Sequence, residues 1–269
     1  MSDPDLRFAL DEGVATLTLN RPDQDNAFSQ EMGSLLGDAY RRCDEDDDVR
    51  VVIVTGAGRA FCVGADLGAG RETFARQDAA AFSAAAVSPP AFAVRKPVIA
   101  AVNGHAVGLG LTLALQCDIR LFAREAKYGV LQVRRGVMPD AYAHFTLPRI
   151  AGFARAADLL LTGRKFDGGE AVELGLASRA MPAAEVLPAA QEIARDIAVN
   201  TAPLSVAVTK RLLWESGTLS AEDIERKETA LHHHLMGRAD AIEGVVAYLE
   251  RRRPEWKLRV SRDWPDWPR

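Results

Sequence analysis

Pro97-Val98-Ile99-Ala100-Ala101-Val102-Asn103-Gly104-His105-Ala106-Val107-Gly108-Leu109-Gly110 is the stretch on which the fold turns. Its first six residues are apolar, continuous and partly β-branched, the pattern of a short strand buried on both faces. Asn103-Gly104 breaks the run, and a helix is predicted from about Gly108 to Gln116. The same pattern occurs upstream. Val51-Val52-Ile53-Val54 leads into Gly56-Ala57-Gly58-Arg59-Ala60-Phe61 and then Cys62-Val63-Gly64-Ala65-Asp66-Leu67. Downstream, Asp118-Ile119-Arg120-Leu121-Phe122 predicts another strand. Strand, glycine turn, helix and strand in succession imply an α/β fold with a largely parallel sheet.

Working outward, Phe8-Ala9-Leu10 and Val14 to Leu19 predict two strands around Asp11-Glu12-Gly13. Ser29 is the expected N-cap of a helix carrying Met32, Leu35, Leu36, Ala39 and Tyr40. The acidic run Asp44 to Asp48 lacks the glycine and terminal glutamate of a calcium loop and is expected to be a solvated turn. Gly56-Ala57-Gly58 resembles a dinucleotide turn only briefly, because Phe61 stands at the third glycine position. Alanine-rich residues 71–94 predict a helix. After Pro148 the pattern is mostly helical: Phe153 to Leu161, Gly168 to Leu174, Ala183 to Asn200, Pro203 to Trp214, Ser220 to Met236 and Ala239 to Arg253. Strand-plus-helix units recur, with spacing too irregular to define a repeat.

Composition narrows the class. The chain has 269 residues, 48% hydrophobic and 26% charged, which excludes disordered, collagenous and coiled-coil classes. The organisation expected is a core over residues 1–200 and a C-terminal helical region over 201–269. Net charge is 33 − 37 = −4, so no basic excess points to nucleic acid. Three cysteines, Cys43, Cys62 and Cys117, with no CxxC spacing predict neither a disulfide framework nor a zinc site and suit a reducing cytoplasm. The acidic N-terminus lacks an apolar run and does not read as a signal peptide. Residues 97–117 are apolar in bulk, yet Asn103, His105, Thr112 and Gln116 interrupt them, so no membrane span is expected.

Glycines following buried strands allow positive φ and close approach of backbone to a ligand. Backbone N–H groups in such turns, or in the first turn of a helix, have no intrahelical acceptor. Two of them together can hold a carbonyl oxygen that becomes an oxyanion. The competing reading is that these glycines only permit tight packing of strand and helix.

Taken together and in order, these segments resemble the enoyl-CoA hydratase/isomerase (crotonase) family nearly end to end. Asn20-Arg21-Pro22 and Asn26-Ala27-Phe28-Ser29 are similar to its first loop. Residues 54–67 are similar to its first oxyanion turn, and residues 96–104 to the opening of its second. Residues 147–152, Leu160-Leu161-Thr162-Gly163 and Ala171 to Ala177 match further downstream. The resemblance implies a ββα-superhelix core, a C-terminal helical region, trimers or pairs of trimers, and an acyl-CoA thioester substrate. Coenzyme A would be part of that substrate, with no separate cofactor and no metal. By position the oxyanion donors would be the N–H groups of Ala65 and Leu109, Leu109 standing where the family usually has glycine. Asn26, Ala27, Phe28, Asp66, Leu67, Gly108 and Gln132 would border the substrate and its coenzyme, and Arg59 would meet the phosphates. Tyr248 and Arg251 would complete the pocket, often that of a neighbouring subunit.

The general base is where the sequence departs from that family. The two glutamates of typical hydratases align with Thr112 and Gln132, neither of which accepts a proton at neutral pH. Asp140, among small and apolar residues, is the carboxylate left, and burial there would raise its pKa. Its alternative role is to N-cap the next helix. Similar aspartates in the family serve isomerases and a dehalogenase. The dehalogenase also needs a histidine, which Ala79 to Arg95 does not contain. His105 is expected to pack, His144 to be a possible helper of Asp140, and His232-His233-His234 to lie on a solvated or interface helix.

The expected function is enoyl-CoA isomerisation, Asp140 moving a proton between carbons of a thioester enolate held by Ala65 and Leu109. Hydration by an atypical base, with Gln132 assisting Asp140, is the alternative within the enzyme class. A non-catalytic acyl-CoA-binding protein is the alternative outside it.

Overall fold

In the computed structural model, described for residues 4–68, 70–75 and 83–268, an open sheet and a small one are wound together. The N-terminal hairpin joins β1 (Leu6–Asp11) to β2 (Val14–Leu19) through Glu12 and Gly13, both at positive φ. Ser29 caps α1 (Gln30–Glu45), its hydroxyl accepting the Met32 N–H, and the helix buries Met32, Leu36 and Tyr40. Three strand pairs then follow: β3 (Val51–Gly56) with β4 (Ala60–Cys62), β5 (Val98–Val102) with β6 (His105–Val107), and β7 (Ile119–Ala123) with β8 (Tyr128–Gly129). Helix α2 (Leu109–Ala114) lies between the last two pairs.

The first member of each pair joins a six-stranded sheet, β1-β2-β3-β5-β7-β9, and the second joins a three-stranded one, β4-β6-β8. From β2 to β9 (Arg179–Met181) the large sheet is parallel, and so is the small sheet throughout. The recurrence that looked irregular along the chain is thus regular in space: three turns of a strand–strand spiral. β3 and β5 are buried at every residue, as their unbroken apolar runs require.

Helices α3 (Ala143–Ala151), α4 (Phe153–Thr162), α5 (Gly168–Glu173) and α6 (Ala183–Asn200) follow, α6 burying Val186, Ala190, Ala194 and Ala198 at four-residue spacing. Beyond α6 come α7 (Pro203–Glu215), α8 (Ala221–Leu235), α9 (Ala239–Glu250) and α10 (Val260–Asp263). Leu204 and Val208 of α7, Leu231 of α8 and Leu258 between α9 and α10 form a second cluster. Trp264 and Trp267, stacked at 5.6 Å, pack against that cluster, so the tail covers its own chain. Among the described residues no helix is long and apolar enough to cross a membrane.

Two expectations need correction. The alanine-rich helix of residues 71–94 is not observed where the chain is described. Residues 76–82, including Phe82, lie outside the described residues, and the rest hold only short 3-10 turns at Gly70–Glu72 and Ala91–Ala93. Pro89 and Pro90 supply no N–H and bias the preceding residue away from helix, while Val87, Ala91 and Val94 are drawn into the core. The acidic run is not simply solvated either. Asp44 accepts the Arg95 N–H at 2.6 Å and its Nε at 2.8 Å. Lys96 Nζ, on a buried side chain, donates to the carbonyls of Asp46 and Val49.

α7 is bolted to the core by Asp118. Lys210 Nζ lies 2.7 Å from its Oδ2, Trp214 Nε1 donates to its Oδ1 at 2.7 Å, and the Val98 N–H donates to Oδ2 at 2.7 Å. Lys210 also donates to the carbonyls of Ala91 and Lys96. Removing the carboxylate leaves a buried ammonium without its counter-charge. Asp118→Ala should therefore lose about 3–5 kcal/mol of stability, measured by urea unfolding, whereas exposed acidic residues should lose little.

Candidate functional site

β4 and β6 are parallel neighbours, with Ala60 opposite His105 and Cys62 opposite Ala106, so the turns after them lie side by side. A methyl group on Gly64, at φ 89°, would stand 2.6 Å from the Val107 carbonyl and 3.6 Å from the Leu109 nitrogen. A methyl group on Gly110 would overlap the Cys62 carbonyl outright. The tight-packing reading of these glycines therefore holds, and it is what brings the two N–H groups to neighbouring places. Phe28 bridges the first turn: its N–H donates to the Gly64 carbonyl at 2.7 Å and its carbonyl accepts the Asp66 N–H at 3.4 Å. That pattern leaves the Ala65 N–H unused, on an exposed residue. Leu109 opens α2, so its N–H has no intrahelical acceptor. Two such donors on adjacent turns are the ingredients of an oxyanion site.

β8 pairs beside β6, and the chain leaving it runs into a 3-10 turn, Gln132–Arg135, and then Asp140. Gln132 stands against the second turn: a methyl group on Gly108, at φ 56°, would lie 3.6 Å from its Oε1 and 3.7 Å from its Nε2. The same amide donates from Nε2 to Asp140 Oδ1 at 3.1 Å. Asp140 is thus one side chain away from the Leu109 turn. Burial raises its carboxyl pKa, and the bond from Gln132 opposes the rise. The N-cap role is excluded: Tyr142, left-handed at φ 64°, is the residue before α3, and no side chain caps that helix. Ala141, at φ 47°, is held by its N–H to the Ala84 carbonyl at 2.8 Å and by Gln116 Nε2 on its own carbonyl at 3.0 Å.

The other expected residues divide. Ala27, Phe28 and Leu67 sit on the first turn, Leu67 48% exposed beside Ala65. Asn26 is fully buried and structural, its amide donating to the carbonyls of Ala57 and Ala60 while its Oδ1 accepts the Arg21 N–H. Asp66 is committed too. The Gly68 N–H and then Arg21 hold its carboxyl below the ordinary carboxylate range. Arg59 is exposed but paired with Asp25, through Nε at 2.7 Å and Nη2 at 2.8 Å. Thr112 donates its hydroxyl to the Leu109 carbonyl at 3.0 Å and is fully buried.

His144 is exposed on α3, and His105 is exposed rather than packed, its Nδ1 accepting the Lys127 N–H at the far end of β6 from Gly108. His232 and His233 are exposed, and His234 contacts Asp263 and Arg238. Among the described residues no three His, Cys, Asp or Glu side chains gather as metal ligands. Burial pushes the Cys62 thiol up to about 12, so a cysteine so near Gly64 is not a nucleophile. Tyr248 is 82% exposed on α9 and Arg251 ends that helix in left-handed conformation; neither shares a hydrogen bond with the two turns. Sequence reasoning missed Arg21 and Gln116. Arg21 had a signal in its Asn-Arg-Pro triplet. Gln116 had none, because its partner is a backbone carbonyl 25 residues away.

Comparison with known proteins bears on the family. The family model described as enoyl-CoA hydratase/isomerase matches residues 9–259. An enoyl-CoA hydratase of Alternaria alternata is 37% identical over 254 residues, covering 91% of this chain and 83% of that protein. A carnitinyl-CoA dehydratase of Proteus mirabilis is 35% identical over 251 residues, covering 91% and 95%. A crystal structure of a probable enoyl-CoA hydratase/isomerase from Mycobacterium abscessus superposes with a TM-score of 0.91 at 53% identity, covering 94% of this chain and 98% of that one.

Because burial raises the Asp140 carboxyl pKa, the folded state binds that proton more tightly than the unfolded state does. Stability from this group is full at low pH and falls as pH rises through the raised value. Asn does not titrate. Asp140→Asn should unfold at higher urea than the parent near neutral pH, the gap closing below the ordinary carboxylate range.

Proposed function

This chain belongs to the enoyl-CoA hydratase/isomerase family of acyl-CoA enzymes, and from that premise we propose that it isomerises enoyl-CoA thioesters with Asp140 as the proton carrier. One observation carries the reading: the carboxylate beside the second glycine turn is Asp140, anchored by Gln132, while Thr112 is committed to its own helix. The thioester oxygen is held by the N–H groups of Ala65 and Leu109. Asp140 takes a proton from C2 of a 3-enoyl thioester, and the C–H electron pair delocalises into a dienolate whose charge rests on that oxygen. The carboxyl proton exchanges with solvent water, and Asp140 then delivers a proton to C4, leaving the double bond between C2 and C3. A shuttle of this kind needs one carboxyl with a pKa brought toward neutrality, which burial favours. Hydration requires a water to be positioned and deprotonated while the α-carbon is protonated, and a second ionisable partner is missing at residues 112 and 132.

Ala27, Phe28 and Leu67 border the coenzyme, and Arg59 exchanges part of its pairing with Asp25 for phosphate oxygens. Residues 1–200 form the catalytic core and residues 201–269 the helical region that closes it. The apolar face of α9, with Ile242, Val245, Tyr248 and Leu249 all more than half exposed, seats against a neighbouring copy in a trimer or a pair of trimers. Three free buried thiols suit a reducing cytoplasm.

The hydratase reading is favoured by the names of the Alternaria and Proteus relatives, so one assay compares both. The protein is incubated in heavy water with a 3-enoyl-CoA and, separately, a trans-2-enoyl-CoA. The isomerase reading expects conversion of the 3-enoyl substrate with deuterium at C4, and a drop of about a hundredfold or more in Asp140→Asn. Water addition to the 2-enoyl substrate without rearrangement would restore hydration. Tight binding of both with no turnover would leave an acyl-CoA-binding protein.

A further inference from the structure

Gln132 has a polar atom that the proposed reaction has not yet used. Its side chain is 9% exposed. Its Nε2 meets Asp140 Oδ1 at 3.1 Å, yet its Oε1 is buried with no hydrogen-bond partner. A buried acceptor left without a partner is unfavourable, because it has given up water and gained nothing in return. The amide sits against Gly108, beside the turn that carries the Leu109 N–H. We propose that Gln132 is the positioning residue of Asp140, a neutral amide that binds the carboxylate while it is ionised and the carboxylic acid once it holds the substrate proton.

The inference rests on Asp140 being the base. An amide offers donors at one end and an acceptor at the other, and half a turn about its last torsion exchanges them. Facing the ionised carboxylate, it presents Nε2, as in the structure. When the C–H bond of the substrate breaks, its electron pair passes to the enolate and its proton to an Asp140 oxygen. That new O–H then donates to Oε1, and the orphaned acceptor gains its partner. A glutamate at position 132 would instead compete for the proton, since two carboxyls at this spacing titrate as a coupled pair. Among the described residues no charge substitutes for the amide. Arg134 and Arg135 in the 3-10 turn and His144 and Arg149 on α3 are exposed. The groups pressing on the loop, the Ala84 carbonyl, Gln116 and Phe92, are uncharged. Burial and Gln132 are the main influences on the Asp140 carboxyl, the amide favouring its ionised form.

The full-length chain is assayed for isomerisation of trans-3-hexenoyl-CoA across pH, with hexanoyl-CoA affinity as the measure of an intact pocket. In Gln132→Met, kcat should fall about ten- to a hundredfold, the loss of one hydrogen bond to a charged group. KM should stay within about threefold of the parent. The acidic limb of the kcat profile should move to higher pH, because the ionised base has lost its donor. Gln132→Glu should move that limb further up, as the second carboxylate repels the first. Unchanged kcat and limb in Gln132→Met, with Asp140→Asn inactive, overturn this role and leave the base assignment standing. Activity retained in Asp140→Asn overturns the base assignment itself, and this role with it. Loss of hexanoyl-CoA binding together with kcat in Gln132→Met makes the residue a pocket support, which also overturns the proposal.

Discussion

The approach of two backbone turns, closer than any side chain at Gly64 or Gly110 would allow, sets the geometry on which the rest of the molecule depends. It follows from the parallel pairing of β4 with β6, which puts the C-terminal ends of both strands on one edge of the small sheet. β8 extends the same edge, so the segment carrying Gln132 emerges beside the turn carrying Leu109. Ligands of parallel sheets bind at the C-terminal ends of strands, where backbone donors and loops collect. The spiral reaches that arrangement by alternation: a strand for the large sheet, a strand for the small one, then a return. The apolar strands β3 and β5 supply the burial that fixes the spiral, and the small sheet sets the two turns side by side.

Around the first turn, polar side chains do work that resembles ligand binding in the sequence but is internal to the fold. Arg21 donates to the Ala27 carbonyl and to Asp66, and Asn26 closes three further bonds to the backbone. A loop at positive φ, as Asp25 and Asn26 are, needs such bonds, because left-handed conformations cost energy for residues with a side chain. The bonds hold Phe28 against Gly64 and leave the Ala65 N–H free of the chain. Preorganised donors of that kind stabilise developing charge without reorganising at the moment of reaction.

Much of this was legible in the residues, for identifiable reasons. The strands read clearly because burial on both faces demands uninterrupted apolar runs, and the helices after residue 152 because amphipathic periodicity is a local property. Asp140 stood out as a carboxylate among small residues. The small sheet was not legible: its strands span three residues or fewer, too short for a period, and depend on partners 22 to 45 residues away. Residues 71–94 misled because alanine favours helix while two prolines and the pull of the core decide otherwise. Asn26, Asp66 and Arg59 illustrate a general ambiguity. A polar residue in a loop near a site can face the ligand or brace the loop, and spacing alone does not separate the two.

Asp140 precedes a strained stretch of backbone. Ala141 and Tyr142 are both left-handed, and such residues persist only where their surroundings over-determine them. Here the determinants come from different parts of the chain. The Ala84 carbonyl and the Gln116 amide hold Ala141, while the Tyr142 ring packs edge-on against Phe92 at 5.1 Å. Phe92 in turn meets Trp214 of α7 at 5.1 Å, and Trp214 is bound to the same Asp118 that receives Lys210. A carboxylate half withdrawn from water destabilises the fold at neutral pH, and a strained turn adds to that cost. Both are offset by contacts reaching from the second glycine turn to the C-terminal helices. The helical region therefore does more than extend the chain: through Trp214 and Phe92 it holds the turn from which Asp140 reaches Gln132.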